Sequence, residues 1–200
     1  MYRNLLTKKF FKDNPYIENT VQDFFYSILL YEGVEDAADE IVREQGLLSD
    51  ERVEQITLTE ELIKAEQDPE TIFQLLRKDI DGMNRGGLIK KALQFEDVLI
   101  PMVIKKLLRS YHDTFIENSI KLIARSQNDY SSMLMEKYKE FRNPYVKSMV
   151  CLILGFRGEE AIIPWMLDKY YEMKKMYPDE SYDQGPLLAL YKLNSRFYDK

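Results

Sequence analysis

The chain of 200 residues contains one histidine and one cysteine, the residue types that carry most metal and nucleophilic chemistry. A zinc site needs a Cys/His cluster and a disulfide framework needs several cysteines, so both are excluded. A single imidazole also excludes every mechanism that needs two. No Gly-rich phosphate loop and no Ser/His/Asp set is recognisable. The sequence therefore predicts no catalytic residues, no metal site and no cofactor, and hence a protein that is not an enzyme.

The single histidine and the single cysteine both have simple structural interpretations. Cys151 falls on the apolar face of a predicted helix, so we expect a buried thiol rather than a nucleophile. His112 precedes Asp113 between two predicted helices. This pair could ligate a metal or transfer protons, but its position favours the start of a helix, with Asp113 as the capping residue.

Apolar residues recur with helical spacing through most of the chain, and no segment alternates as a β-strand does. A helix is predicted over 21–33 because its apolar residues follow the i, i+3, i+4, i+7, i+8 pattern. Further helices are predicted over about 35–44 and from Ser49 onward. The apolar residues of this third helix are Ile56, Leu58, Leu62 and Ile63. The predicted fold class is therefore all-α.

Three helices repeat one apolar stripe at intervals of about 30 residues. The two fullest stripes are Ile116, Ser119, Ile120, Ile123 and Ala124, and Val146, Met149, Val150, Ile153 and Leu154. An earlier, partial match is Leu88, Ile89, Ala92 and Leu93. Another helix is predicted after each stripe, over 98–108, 131–141 and 161–171. Two helices per repeat indicate an α-α superhelix, in which pairs stack because no pair can bury its apolar face alone.

The repeat pattern divides the chain into two segments. Residues 68–200 are predicted to form an array of about four helix pairs. Residues 1–67 are predicted to be an N-terminal helical segment that packs on this array, so that the chain makes one continuous domain.

Residues 146–167, VKSMVCLILGFRGEEAIIPWML, resemble the HEAT-like (PBS-lyase-type) helical repeat. Its V-R, L-G, G-D and I-P positions correspond here to Val146-Lys147, Leu154-Gly155, Gly158-Glu159 and Ile163-Pro164. The sequence departs from the pattern at Val150 and Cys151, where small residues are usual, at Arg157, where an apolar residue is usual, and at Glu160, where proline is usual. The resemblance covers residues 68–193, most clearly in this last unit.

This resemblance implies a right-handed array, and it limits the functions to be considered to those of HEAT-like proteins. HEAT-like deoxyhypusine hydroxylases hold two irons with several His-Glu pairs, which one histidine cannot supply. HEAT-like DNA glycosylases use a strongly basic groove, whereas this chain has a formal net charge of −6. Nucleic-acid binding or DNA repair therefore stays the alternative to a non-enzymatic scaffold that binds another protein or a peptide.

The charge is unevenly distributed, which suggests where such a scaffold would bind. Residues 21–70 carry a net charge of −12, and residues 71–157 a net charge of +6. In HEAT-like arrays the second helix of each pair lines the concave side, and the stripe-bearing helices take that place here. The predicted partner-binding residues are Arg85, Lys90, Lys121, Arg125, Lys147 and Trp165. The alternative is that the cations form solvated helix faces and that Trp165 packs on the adjacent unit.

The segment that begins the chain, MYRNLLTKKFFKDNPY, lacks the apolar core of a signal peptide. No apolar run approaches the ~18 residues that a membrane span needs. We therefore expect a cytoplasmic protein without membrane contact. Its oligomeric state is left open.

Overall fold

The computed structural model of the chain describes residues 41–42 and 44–198, and in this part the fold is all-α, as predicted. It contains nine α-helices and no strand. The helices are α1 Asp50–Ala65, α2 Pro69–Leu76, α3 Gly82–Leu93, α4 Glu96–Leu107, α5 Asp113–Arg125, α6 Ser131–Lys137, α7 Pro144–Arg157, α8 Ile163–Met176 and α9 Gln184–Phe197. The predicted helix over 21–33, and all but the end of the one over 35–44, lie outside the described residues. So does most of the 1–67 segment.

Side-chain caps set where several of these helices begin. The Ser49 hydroxyl accepts a hydrogen bond from the Arg52 amide and opens α1, as predicted. The Asp68 carboxylate accepts from the amides of Glu70 and Thr71 at the start of α2. The cap of α5 differs from the prediction, because His112 and not Asp113 occupies the capping position. Its Nδ1 accepts from the Phe115 amide at 3.2 Å. Each cap satisfies an amide that the first helical turn leaves unpaired.

The described residues from 41 to 127 belong to one compact unit, which contains α1 to α5. Within it α3 contacts α1 and α5, and α2 contacts α4. Alternate helices thus form two layers, one of α1, α3 and α5 and one of α2 and α4. The layers enclose the buried apolar side chains, among them Ile72, Leu76, Leu88, Leu99, Leu107 and Ile116.

The residues from 128 to 198 belong to a second compact unit, which contains α6 to α9. Here α9 packs against α7 and α8, and α6 contacts α7. Two glycines allow the close approach of α7 and α9. A Cβ at Gly155 would lie 2.5 Å from the Cα of Ala189, and a Cβ at Gly185 would lie 2.1 Å from the Ser148 carbonyl oxygen. Gly155 lies inside α7, so the absence of its side chain serves helix packing.

The helices predicted after the three stripes are present with shifted ends. The helix predicted over 98–108 is α4, and the helix predicted over 131–141 ends as α6 at Lys137 and continues as a 3₁₀ turn over Tyr138–Glu140. The helix predicted over 161–171 is α8 and runs to Met176. None of the helices in the described part of the chain is both long and apolar enough to span a membrane.

Candidate protein-binding surface

Four of the six predicted binding residues lie on α3 and α5, two helices of the same layer. Arg85 and Lys90 are on α3, and Lys121 and Arg125 are on α5. We call Lys90, Lys121 and Arg125 the cationic face; Arg85 instead takes the first position of the α3 apolar stripe, three residues before Leu88 and four before Ile89. The apolar stripes of the same helices turn away from it, because Leu88, Ile89, Ile120 and Ile123 are buried. Lys90 is exposed, and Arg85, Lys121 and Arg125 are half-buried.

Arg85 joins the two helices of the cationic face. Its guanidinium lies 3.8 Å from the Glu117 carboxylate on α5 and 3.9 Å from Asp79 in the preceding loop. Its side chain is 25% exposed. The two carboxylates balance part of the positive charge, so the surface here is mixed in sign.

The lysine next to Lys90 has a structural role. Lys91 is buried, and its Nζ donates to the Lys64 carbonyl oxygen at 3.0 Å. It thereby fixes α3 against the end of α1. A buried ammonium needs such a partner because desolvation is costly. Adjacent lysines of α3 thus serve different purposes, which the sequence alone does not distinguish.

Lys147 and Trp165, the other two predicted residues, belong to the second unit and meet at Tyr138. The rings of Tyr138 and Trp165 pack edge to face with centroids 4.9 Å apart. The Lys147 Nζ lies 5.8 Å from the Tyr138 ring centroid, within the range of a cation–π interaction. Trp165 is half-buried. We call Tyr138, Lys147, Trp165 and Lys169 the aromatic cluster.

Lys169 is a member of this cluster that the sequence analysis missed. Its Nζ lies 5.5 Å from the Tyr138 ring and 5.8 Å from the Trp165 ring, and it also pairs with Glu172. Lys169 follows Trp165 by four positions, a spacing that places both on the same helix face. This i, i+4 spacing is the sequence feature from which Lys169 could have been predicted as a neighbour of Trp165.

Cys151 lies buried beneath the aromatic cluster, as predicted. Its Sγ donates to the Tyr138 hydroxyl oxygen at 3.4 Å. Burial raises the pKa of the Cys151 thiol to about 12 and also raises the pKa of Tyr138. The thiol is therefore protonated at neutral pH, and since only the thiolate is a good nucleophile, Cys151 is a packing residue.

No group of three or more His, Cys, Asp or Glu side chains that could hold a metal ion occurs among the described residues. Comparison with known proteins found no matching family model, no matching curated protein and no matching solved structure. The likeness to HEAT-like repeats thus rests on the sequence alone, most clearly on residues 146–167.

Proposed function

We propose that the chain is a cytoplasmic, non-enzymatic scaffold built as a HEAT-like array, and that its cationic face binds an acidic segment of another protein. The observation that carries the proposal is the layered arrangement of the first unit. There α3 and α5 lie side by side with their apolar stripes buried and with Lys90, Lys121 and Arg125 off the stripes. Stacked repeats build such surfaces without catalytic residues.

The mixed sign of this surface favours a protein partner over nucleic acid. Glu117, one turn before Lys121 on α5, and Asp79 lie beside Arg85 next to the face. A nucleic-acid backbone is bound by cations concentrated on one face, and carboxylates among them would repel phosphates. A protein segment carries charges of both signs and can match a mixed pattern, which gives specificity and register.

Charge reversal on the face tests this proposal. Lys90→Glu with Lys121→Glu should lower the affinity for the partner by about tenfold, because two attractive contacts become repulsive. The partner is first identified by affinity capture from the native host and mass spectrometry. Binding of that purified partner to the wild type and the variant is then measured by calorimetry.

The matched control is Lys139→Glu with Lys175→Glu. Both of these lysines are exposed, and they lie on the second unit, so the pair changes the net charge equally but leaves the cationic face intact. We expect its affinity to stay within about twofold of wild type. We also expect all proteins to keep their melting temperature within a few degrees, because Lys90, Lys139 and Lys175 are exposed, where substitutions cost under about 0.5 kcal/mol each, and half-buried Lys121 lies off the apolar stripe. Equal weakening by both pairs, or no weakening by the first, would refute the proposal.

A further inference from the structure

A cleft of about 250 Å³ opens in the first unit where α2 and α4 end and α5 begins. Three cations, Arg77, Lys106 and Arg109, line it together with the loop before α5. Arg77 caps the end of α2, Lys106 is in the last turn of α4, and Arg109 follows that helix. The buried Phe115 forms its apolar wall.

The lining of the cleft carries three positive charges, and no carboxylate of the described residues pairs with them. No carboxylate is among its lining residues, and within the described residues no carboxylate lies within 4 Å of Arg77, Lys106 or Arg109. Other cations of this unit are paired in that way: Arg52 with Asp81 and Lys64 with Glu60. Three cations that face one cleft repel one another unless an anion lies between them.

The loop before α5 adds a hydrogen-bond donor. The Nδ1 of His112 accepts from the Phe115 amide, so in the neutral imidazole the hydrogen is on Nε2. The His112 amide is in turn held by the Ser110 hydroxyl oxygen at 3.3 Å. The cap thus fixes the His112 ring at the cleft with an N–H that can donate to an oxyanion.

Helix dipoles alone do not account for this arrangement. Cations near the C-terminus of a helix are favourable, which explains basic residues where α2 and α4 end. Lys78 and Lys105 meet that requirement at the same two ends and are exposed, as Arg77, Lys106 and Arg109 are, but they lie outside the cleft lining. The helix dipoles therefore account for cations at the ends of α2 and α4, but they do not explain why three of these cations line one cleft.

We infer that this cleft is a binding site for a phosphate group, held by Arg77, Lys106, Arg109 and the Nε2–H of His112. Its volume is below the ~300–1,000 Å³ of sites for drug-sized ligands, so it fits an anionic group rather than a whole larger ligand. Guanidinium groups suit phosphate because their donors match its oxygens in pairs. Tyr111, 68% exposed at the rim, offers a ring on which a base attached to the phosphate can stack.

The test is a titration of the full-length, ¹⁵N-labelled protein with inorganic phosphate and, separately, with adenosine monophosphate, followed by amide chemical shifts. A sodium chloride titration of equal ionic strength is the reference, because exposed charges are screened by salt. We expect saturable shifts at the amides of residues 109–115. Tighter binding of the nucleotide would assign the phosphate to a nucleotide stacked on Tyr111, and equal binding would assign it to free phosphate. Absence of saturable shifts up to about 10 mM of either probe would overturn the proposal, since binding weaker than this is below about 3 kcal/mol.

Two variants with equal charge changes separate this site from a general positive field. Arg77→Gln with Lys106→Gln removes two cations from the cleft, and binding should weaken by about tenfold or more. Lys78→Gln with Lys105→Gln removes two cations from the same helix ends outside the lining, and binding should change by less than about twofold. Equal weakening by the two variants would show that the anion senses only the overall charge, and would overturn the site.

Discussion

At the scale of single residues, the hydrogen bond between Cys151 and Tyr138 defines the chemistry of the only thiol. The donor and the acceptor are both buried, and burial raises the pKa of each group, so the pair stays neutral over the physiological pH range. Lys147 and Lys169 lie against the Tyr138 ring within the same cluster. They favour a thiolate at Cys151, but desolvation is the larger effect on its pKa.

The first prediction concerns the reactivity of this thiol. In the native protein at pH 8, Cys151 should react with a disulfide reagent such as DTNB only as fast as the protein unfolds, because the thiol is buried and its pKa is about 12. In guanidinium chloride the same protein should react fully within minutes. The absorbance of the released thiolate measures both rates. Rapid labelling in the native state would contradict this prediction, because it would show that the face of α7 that carries Cys151 is open to solvent.

At the scale of elements, glycine serves opposite purposes in two helices. Gly155 lets α7 approach α9, since a Cβ there would overlap Ala189. Gly87, in the interior of α3, has no neighbouring atom within 4 Å of the place a Cβ would occupy. The first glycine is needed for packing, whereas the second leaves α3 with a more flexible backbone than it needs.

Alanine at these two glycines should therefore change stability in opposite directions. Gly155→Ala should lower the free energy of unfolding by about 1–3 kcal/mol, because α7 and α9 must separate to admit the methyl group. Gly87→Ala should raise it by up to about 1 kcal/mol through helix propensity. Urea denaturation followed by circular dichroism measures both. A Gly155→Ala protein as stable as wild type would contradict the packing of these two helices.

The helices themselves were predictable because their signals are local. Ser49 and the apolar periodicity after it place α1, and the repeated stripes place α3, α5 and α7. The sequence could not show which other element packs against each face of a helix. Leu58 and Leu62 are 53% and 73% exposed, because they lie two and six residues after buried Ile56, about 200–240° around α1 and so on its opposite face.

The candidate site was predictable only as a set of cations on the right helices. The sequence identified Lys90 and Lys121, but it could not distinguish exposed Lys90 from buried Lys91, whose role depends on a carbonyl of α1. It also could not find the cleft at Arg77 and Arg109, because these residues are 32 positions apart and meet only when α2 and α4 lie side by side. The His112 cap was missed because imidazole is an uncommon capping group.

At the scale of the whole molecule, a net charge of −6 coexists with two positively charged surfaces in the first unit. The cationic face lies on α3 and α5, and the phosphate cleft lies at the ends of α2 and α4. The first is mixed in sign and suits a protein segment, whereas the second has no lining carboxylate and suits a single anionic group. The two proposals can therefore fail independently.

Site-specific photo-crosslinking in the native host tests the central claim most directly. A benzoylphenylalanine residue replaces Lys121 on α5 in one protein and Val98, exposed on α4 in the other layer, in a second. If the layer of α1, α3 and α5 carries the binding surface, irradiation should give an adduct of defined mass from position 121 and none from position 98. Adducts from position 98 alone, or equally from both positions, would contradict the account.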